Sequence, residues 1–370
     1  MDMIILAYTA VTWPGLLSLA LTIAILAFRL PVFSSSVYAP YGSEPLGPFI
    51  RPLFAMLLAV IAGSSLGELL LRSGEMAVGT FAPGALRKGI VDTHFGRVWL
   101  IRMATSGLLV VLMLFSGKGR DHNGLRVLMF ALAVVVAWTY SAAGHASEQG
   151  DFTVRQIMDL LHLLAASLWV GGVFVLALVV LPSSLVRGDL MTIAETSRIF
   201  SRLAGFAVLV LLLTAVYNLR VNVGEFKALW STSYGLTVMA KIFLLYLLIL
   251  TGAFNRYVSV PLLLHVAGGR LEPPGPVGRF IGILLDNFRR HLTVPVTLIF
   301  GKALLIEAAL MAAVLLCAAA LKHQTPASRR VPPAEEQIER TTLTVEEVPG
   351  GAQAATATGT AQPRIKKEFR

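Results

Sequence analysis

The chain has 370 residues, 56% of them hydrophobic and 14% charged, with 31 Lys and Arg against 21 Asp and Glu. Its mean hydropathy is +0.73, and a charged share well below the ~25% of soluble domains leaves too little polar surface to cover a water-exposed globule of this size. No G-x-x-x-x-G-K-[ST] loop occurs, which argues against an ATP-driven pump in a single chain, and the single Cys317 rules out an internal disulfide or a C-x-x-C metal pair.

Apolar runs long enough to cross a bilayer recur along the chain, which predicts a polytopic all-α membrane bundle. The first run extends from about Tyr8 to Leu30, with Trp13 and Pro14 near its start. No basic segment precedes it, so it reads as a retained span rather than a cleaved signal. Further spans are predicted at about Pro52–Leu71, from Val98 to just before Lys118, and over Leu125–Gly144 and Ile157–Leu181. Leu203–Tyr217, Gly235–Phe254 and Pro295–Leu321 complete a set of eight transmembrane helices. The eight spans form one domain of residues 1–321, and two segments stand outside the helix bundle. Residues 266–293 combine a Pro-rich turn, an apolar stretch and Arg289-Arg290, as in an amphipathic helix on the inner surface. Residues 322–370 read as a disordered C-terminal tail, too polar and mixed in charge to pack. No internal repeat is evident.

Eight spans place both termini on one side. With the N-terminus outside, the inner loops hold about twice as many Lys and Arg as the outer ones, Arg289, Arg290 and Arg198 among them, as the positive-inside rule requires. The lipid bilayer and its anionic headgroups account for the basic excess better than nucleic acid does.

Ionisable groups inside the bilayer cost about 2.5–3.5 kcal/mol at a helix centre on insertion scales, so they are the first candidates for function. Met158, Asp159 and His162 share one face of the fifth span, and Ala165, Ala166 and Trp169 continue it. His162 lies roughly 10 Å into that helix. His145, where the fourth span emerges, and His94, just before the third enters, fall on the same outer side. Three converging imidazoles would suit copper, zinc or a haem iron. Asp159 would then fix the tautomer of His162, and the Met158 thioether would favour Cu(I) over zinc. Taken alone, Asp159 and His162 serve equally well as an interhelical hydrogen-bond pair. The remaining histidines, His122, His265, His291 and His323, read as solvated. Ser167 and Gly171 form a small-residue packing face, and Trp13 and Trp230 belong to interface belts. Lys241 and Glu307 form an expected intramembrane charge pair, structural or proton-relaying.

These elements resemble the copper-resistance D (CopD) family of bacterial inner-membrane proteins. The matching pieces are Phe95-Gly96-Arg97-Val98-Trp99, Gly144-His145-Ala146, Asp159-x-x-His162 with Trp169-x-Gly171-Gly172, Tyr234-Gly235 with Lys241, Asn255-Arg256 with Pro261, and Glu307. The resemblance implies copper import from the periplasm by a multi-pass inner-membrane protein with periplasmic termini, working with a periplasmic copper-binding partner of the CopC type. It carries the metal-site role onto His145 and His162, with His94 as an addition, and Asp159 and Trp169 also match the pattern. A transporter rather than an enzyme is expected. Two alternatives stay open: a haem b protein, carrying electrons or reducing cupric ion, with His145 and His162 as axial ligands, and a non-catalytic assembly factor for a metalloenzyme.

Overall fold

The first helix, α1 (Met3–Phe28), is apolar on every face, and its polar interruptions are small: Thr9, Thr12, Ser18 and Thr22. A helix hydrophobic all round belongs inside the bundle rather than at its surface. In the computed structural model, which describes residues 3–30, 47–76, 83–116, 123–147, 150–268 and 295–329, α1 is the hub. It packs against α2 (Gly47–Met76), α5 (Asn123–Ala142), α6 (Val154–Arg187) and α10 (Val296–His323). The other elements are the short α3 (Pro83–Val91), α4 (His94–Phe115), α7 (Leu190–Val223), the single turn α8 (Ala228–Ser231) and α9 (Ser233–Val266). Among the described residues there is no strand, and eight helices are long and apolar enough to cross a membrane.

The repeat that the sequence hides is plain in this order. Elements α1–α5 and α6–α10 each run long, long, short, long, long. The packing follows the same scheme: α1 lies on α2 as α6 lies on α7, α4 on α5 as α9 on α10, and α1 on α10 as α6 on α5. The two leading helices meet along the centre, so the halves are related as parallel repeats about an axis along the bundle. The most telling correspondence is local. Thr93 caps α4 by accepting from Gly96 N at 2.9 Å, and Thr232 caps α9 by accepting from Gly235 N at 2.9 Å. Each threonine donates back to the short helix before it, to Gly89 O and Ala228 O. A Cβ on Gly96 would sit 2.2 Å from Ile90 O, and one on Gly235 2.2 Å from Ala228 O, so both glycines are required by close backbone approach.

The contact between α1 and α6 has the same steric basis. A Cβ on Gly171 would lie 2.0 Å from Ala20 O, and one on Gly172 2.1 Å from the Phe200 ring. Small residues let helices approach closely where lipid supplies no hydrophobic drive between them. Trp13, expected at an interface, instead donates to Ala312 O of α10 at 2.9 Å.

Helices α6 and α9 each contain one widened π turn, Leu176–Val180 and Asn255–Ser259. Each precedes a proline, Pro182 or Pro261. A proline lacks the N–H and its ring crowds the carbonyl four residues earlier. Passing to i→i+5 bonding absorbs that conflict without ending the span.

The eighth span outlasts its prediction. α10 continues through Lys322 to His323, followed by a 3₁₀ turn at Ala327–Arg329. The inner-surface segment lies mostly outside the described residues, as does the chain from 330 onward.

Candidate functional site

At the end of the bundle where α1 begins, here termed the N-terminal face, five helix ends enclose a cavity of about 530 Å³. Ile4, Ile5 and Tyr8 come from α1, Leu69, Arg72 and Glu75 from α2, Gly89 from α3, and Thr93 and Phe95 from the start of α4. His145, in the 3₁₀ turn after α5, and Lys322 and His323 at the end of α10 complete the lining.

Beneath the cavity, Lys322 of the lining joins a buried ion cluster. Glu68 of α2 accepts from Lys322 Nζ at 2.9 Å and from Thr12 Oγ1 at 2.7 Å, and its other oxygen lies 3.6 Å from Arg102 Nη1. Arg102, 0% exposed in the middle of α4, donates from Nε to Thr139 Oγ1 at 3.0 Å, from Nη1 to Ser65 Oγ at 3.1 Å and from Nη2 to Thr139 O at 2.9 Å. Its guanidinium lies 3.9 Å from the centroid of the Tyr140 ring, with Lys322 Nζ 5.3 Å from the same centroid. An arginine this deep is tolerable because its donors and its charge are engaged. Arg72 and Glu75 stand higher, with Arg72 over the Phe95 ring at 4.0 Å and Glu75 accepting from Tyr8 Oη at 2.9 Å.

His323 is a wall of this cavity rather than the solvated residue expected. It stacks on Tyr8 with centroids 4.5 Å apart, and its Nε2 lies 2.9 Å from Thr12 Oγ1. Thr12 spends its hydrogen on Glu68, so Nε2 is the donor and Nδ1 carries the lone pair. His145 lines the same space.

The expected trio of His94, His145 and His162 does not converge. His94 pairs with Asp151 at 3.0 Å on the surface, beside the cavity rim formed by Thr93 and Phe95. His162 faces α7, with Nδ1 2.9 Å from Thr214 Oγ1. Thr214 donates to Val210 O at 2.7 Å, so Nδ1–H is the donor and Nε2 holds the lone pair. Thr214 thus fixes this tautomer, in the role assigned to Asp159. Asp159 instead neighbours Ser141 of α5 and, through space, Lys241 of α9. Among the described residues, no three His, Cys, Asp or Glu side chains stand close enough to share an ion. Trp169 is a core residue packed among the central helices, and Met158 is half-buried.

Nor do Lys241 and Glu307 meet. Glu307 accepts from Asn255 Nδ2 at 2.7 Å. Asn255 lies 14 residues beyond Lys241 on the same helix, about 21 Å along the axis. Lys241 has Asp159 and Cys317 as its electrostatic neighbours. The haem alternative needs His145 and His162 to face one cleft; His145 lines the cavity, whereas His162 is not among its lining residues and faces α7.

Glu68 and Arg102 are not among the residues singled out from the sequence, and His323 reads there as solvated. Glu68 and Arg102 carried a usable signal, since each is an isolated charge in an apolar run. Lys322 and His323 carried none, because they sit where an apolar run gives way to a polar one.

Comparison with known proteins follows the same division of the chain. The family described as copper resistance protein D matches residues 194–321, and the copper resistance protein D-like N-terminal domain matches residues 3–153. The chain is 32% identical over 225 residues to the copper transport protein CutJ of Bacillus subtilis (strain 168). That match covers 58% of this chain and 40% of CutJ. It is 26% identical over 204 residues to the inner membrane protein YebZ of Escherichia coli (strain K12), covering 54% of this chain and 67% of YebZ. No solved structure matches.

Proposed function

This chain belongs to the copper resistance protein D family, and on that premise we propose that it handles copper in a bacterial inner membrane, taking the ion in at the N-terminal face and passing it inward. The observation that carries this reading is the cavity in which His145 and His323 stand above the Glu68–Lys322–Arg102 cluster. Imidazole nitrogen is a good copper donor, and the lone pair on His323 Nδ1 is left unused by the Thr12 contact. Tyr8 holds the His323 ring by stacking, so the donor is oriented before the ion arrives.

The charge balance bears on the oxidation state. Glu68 and Glu75 oppose Arg72, Arg102 and Lys322 around this cavity, leaving net positive charge before the ion enters. Coulomb repulsion scales with the charge of the guest. The site therefore penalises Cu(II) more than Cu(I), and Cu(I) is the proposed cargo. His94, paired with Asp151 beside the rim, is the proposed first contact for copper delivered by a periplasmic copper-binding protein of the CopC type. His162, deeper on α6 with Nε2 unprotonated, is the proposed next station, with Asp159 and Lys241 as its charged neighbours. The positive-inside count supports a periplasmic N-terminal face.

Titration of the purified chain with Cu(I) under reducing conditions tests the reading. His145→Ala and His323→Ala should each weaken binding by about tenfold or more. Wild-type affinity in both variants would discard the cavity as the copper site.

A further inference from the structure

The opposite half of the bundle contains a carboxyl group for which the copper reading has no use. Glu307 of α10 is 4% exposed, in the stretch of α10 that packs against the widened turn of α9. Gly252, Asn255 and Ser259 follow one another at spacings of three and four, forming one stripe of α9. A Cβ on Gly252 would lie 3.2 Å from Glu307 Oε1, and Asn255 Nδ2 donates to Oε2 at 2.7 Å. The carboxyl group thus spans the Gly252 and Asn255 positions.

Among the described residues, the cations on the surrounding elements point elsewhere. Arg256, the next residue after Asn255, is turned about 100° round the helix and reaches Ser201 on α7. Lys302 of α10 is exposed, Arg187 of α6 bonds Ser183 O of its own helix, and Arg29, just after α1, reaches the Met113 sulfur. Lys241 is about 21 Å away along α9. An ionised Glu307 would rest on one amide donor inside the bilayer, an expensive state.

A second, independent observation concerns Asn255. Its side chain is 7% exposed and its Oδ1 has no hydrogen-bond partner. A buried amide oxygen left unpaired costs about 1–3 kcal/mol. The missing donor is supplied if Glu307 carries a proton. Acid and amide then close a ring, with Asn255 Nδ2–H donating to Oε2 and the Glu307 O–H on Oε1 donating to Oδ1.

We propose that Glu307 and Asn255 form a proton-binding site, an acid–amide pair that takes up a proton from the face opposite the histidine cavity and returns it there. Uptake forms one O–H bond on Oε1 and removes the carboxylate charge. Release gives the proton back to water and leaves the Nδ2–H···Oε2 contact on the anion. Ser259, one turn nearer that face and 1% exposed with an unpartnered Oγ, is the next polar group along the stripe. Its use as a stepping point follows from the same placement. The site stands whether or not the cavity binds copper.

Infrared difference spectroscopy of the full chain in lipid nanodiscs, between acidic and alkaline buffer in H₂O and D₂O, tests the proposal. The wild type should show the carbonyl stretch of a buried protonated carboxyl, shifted in D₂O and absent from Glu307→Gln. Asn255→Leu should keep the band but raise its frequency, because the acid loses both ring partners. Identical spectra for wild type and Glu307→Gln would overturn the proposal, as would an unmoved band in Asn255→Leu should Glu307→Gln fail to fold.

Discussion

Arg102 and Lys241 occupy the same station in the two halves of the chain, each nine residues after the threonine that caps its helix. Their surroundings have diverged. Arg102 is held by Glu68, Ser65 and Thr139 and covered by the Tyr140 ring. Lys241 has Asp159 only as a through-space neighbour. One half has turned its intramembrane cation into a fixed strut, and the other retains a charge with fewer contacts. Arg102→Lys should therefore destabilise the protein, because an ammonium cannot reproduce the three-way donor fork. Lys241→Arg should change stability far less, and thermal unfolding in detergent compares the two directly.

The Lys322–Glu68 pair gives a second expectation. Removing one partner of a buried pair strands the other charge, at a cost of about 3–5 kcal/mol. Glu68→Leu, which strands both Lys322 and Arg102, should approach that loss; Lys322→Met leaves Glu68 beside Arg102 and should cost less, and adding it to Glu68→Leu should recover part of the loss. Unfolding midpoints for the single and double variants check this. A double variant no better than the worse single would show that the two residues act separately.

The capping glycines make a matched pair of probes. Gly96→Ala and Gly235→Ala each place a methyl 2.2 Å from a carbonyl of the preceding short helix. Both should lose about 1–3 kcal/mol, as overpacking does. Loss at one position alone would argue against equivalent construction of the halves.

Gly171 sets the distance between the leading helices. Gly171→Val should be at least as damaging as either capping change, since its Cβ would already lie 2.0 Å from the Ala20 carbonyl and valine adds two further methyl groups there. Size-exclusion profiles of the solubilised protein would show aggregation or a lowered folded yield.

For His162, Thr214→Val removes the acceptor of the Nδ1 hydrogen. The ring should lose its fixed orientation, with a cost of about 1–3 kcal/mol for the stranded donor. Nitrogen-15 spectra of labelled histidine would show a single neutral tautomer in the wild type and a mixture in the variant.

The eight spans were legible because apolar runs of membrane length are a strong signal, and the order of motifs was enough for the family resemblance. The repeat escaped because it resides in helix order and in four widely spaced residues, Thr93 and Gly96 against Thr232 and Gly235, set among unrelated apolar side chains. Asp159 and His162 were correctly placed on one helix, yet helical periodicity gives a face and not a partner. Thr214, 52 positions away, took the hydrogen bond expected of Asp159. Glu307 and Lys241 were paired by charge alone, and the axial rise of α9 separates them. His323 was assigned to a tail because hydropathy ends at Lys322, while the charge of Lys322 is itself what binds α10 to Glu68.

That last contact, joining residues 254 positions apart, orders events during synthesis. Glu68 and Arg102 emerge from the ribosome within the same half, so the early helices enter the lipid with a carboxylate and a guanidinium already neutralising each other. Lys322 and His323 arrive at the end of the eighth span, Lys322 seating against Glu68 of α2 and His323 against Thr12 of α1. One wall of the histidine chamber is thus completed only when the eighth span is seated, and a nascent chain halted before that step has no second imidazole there.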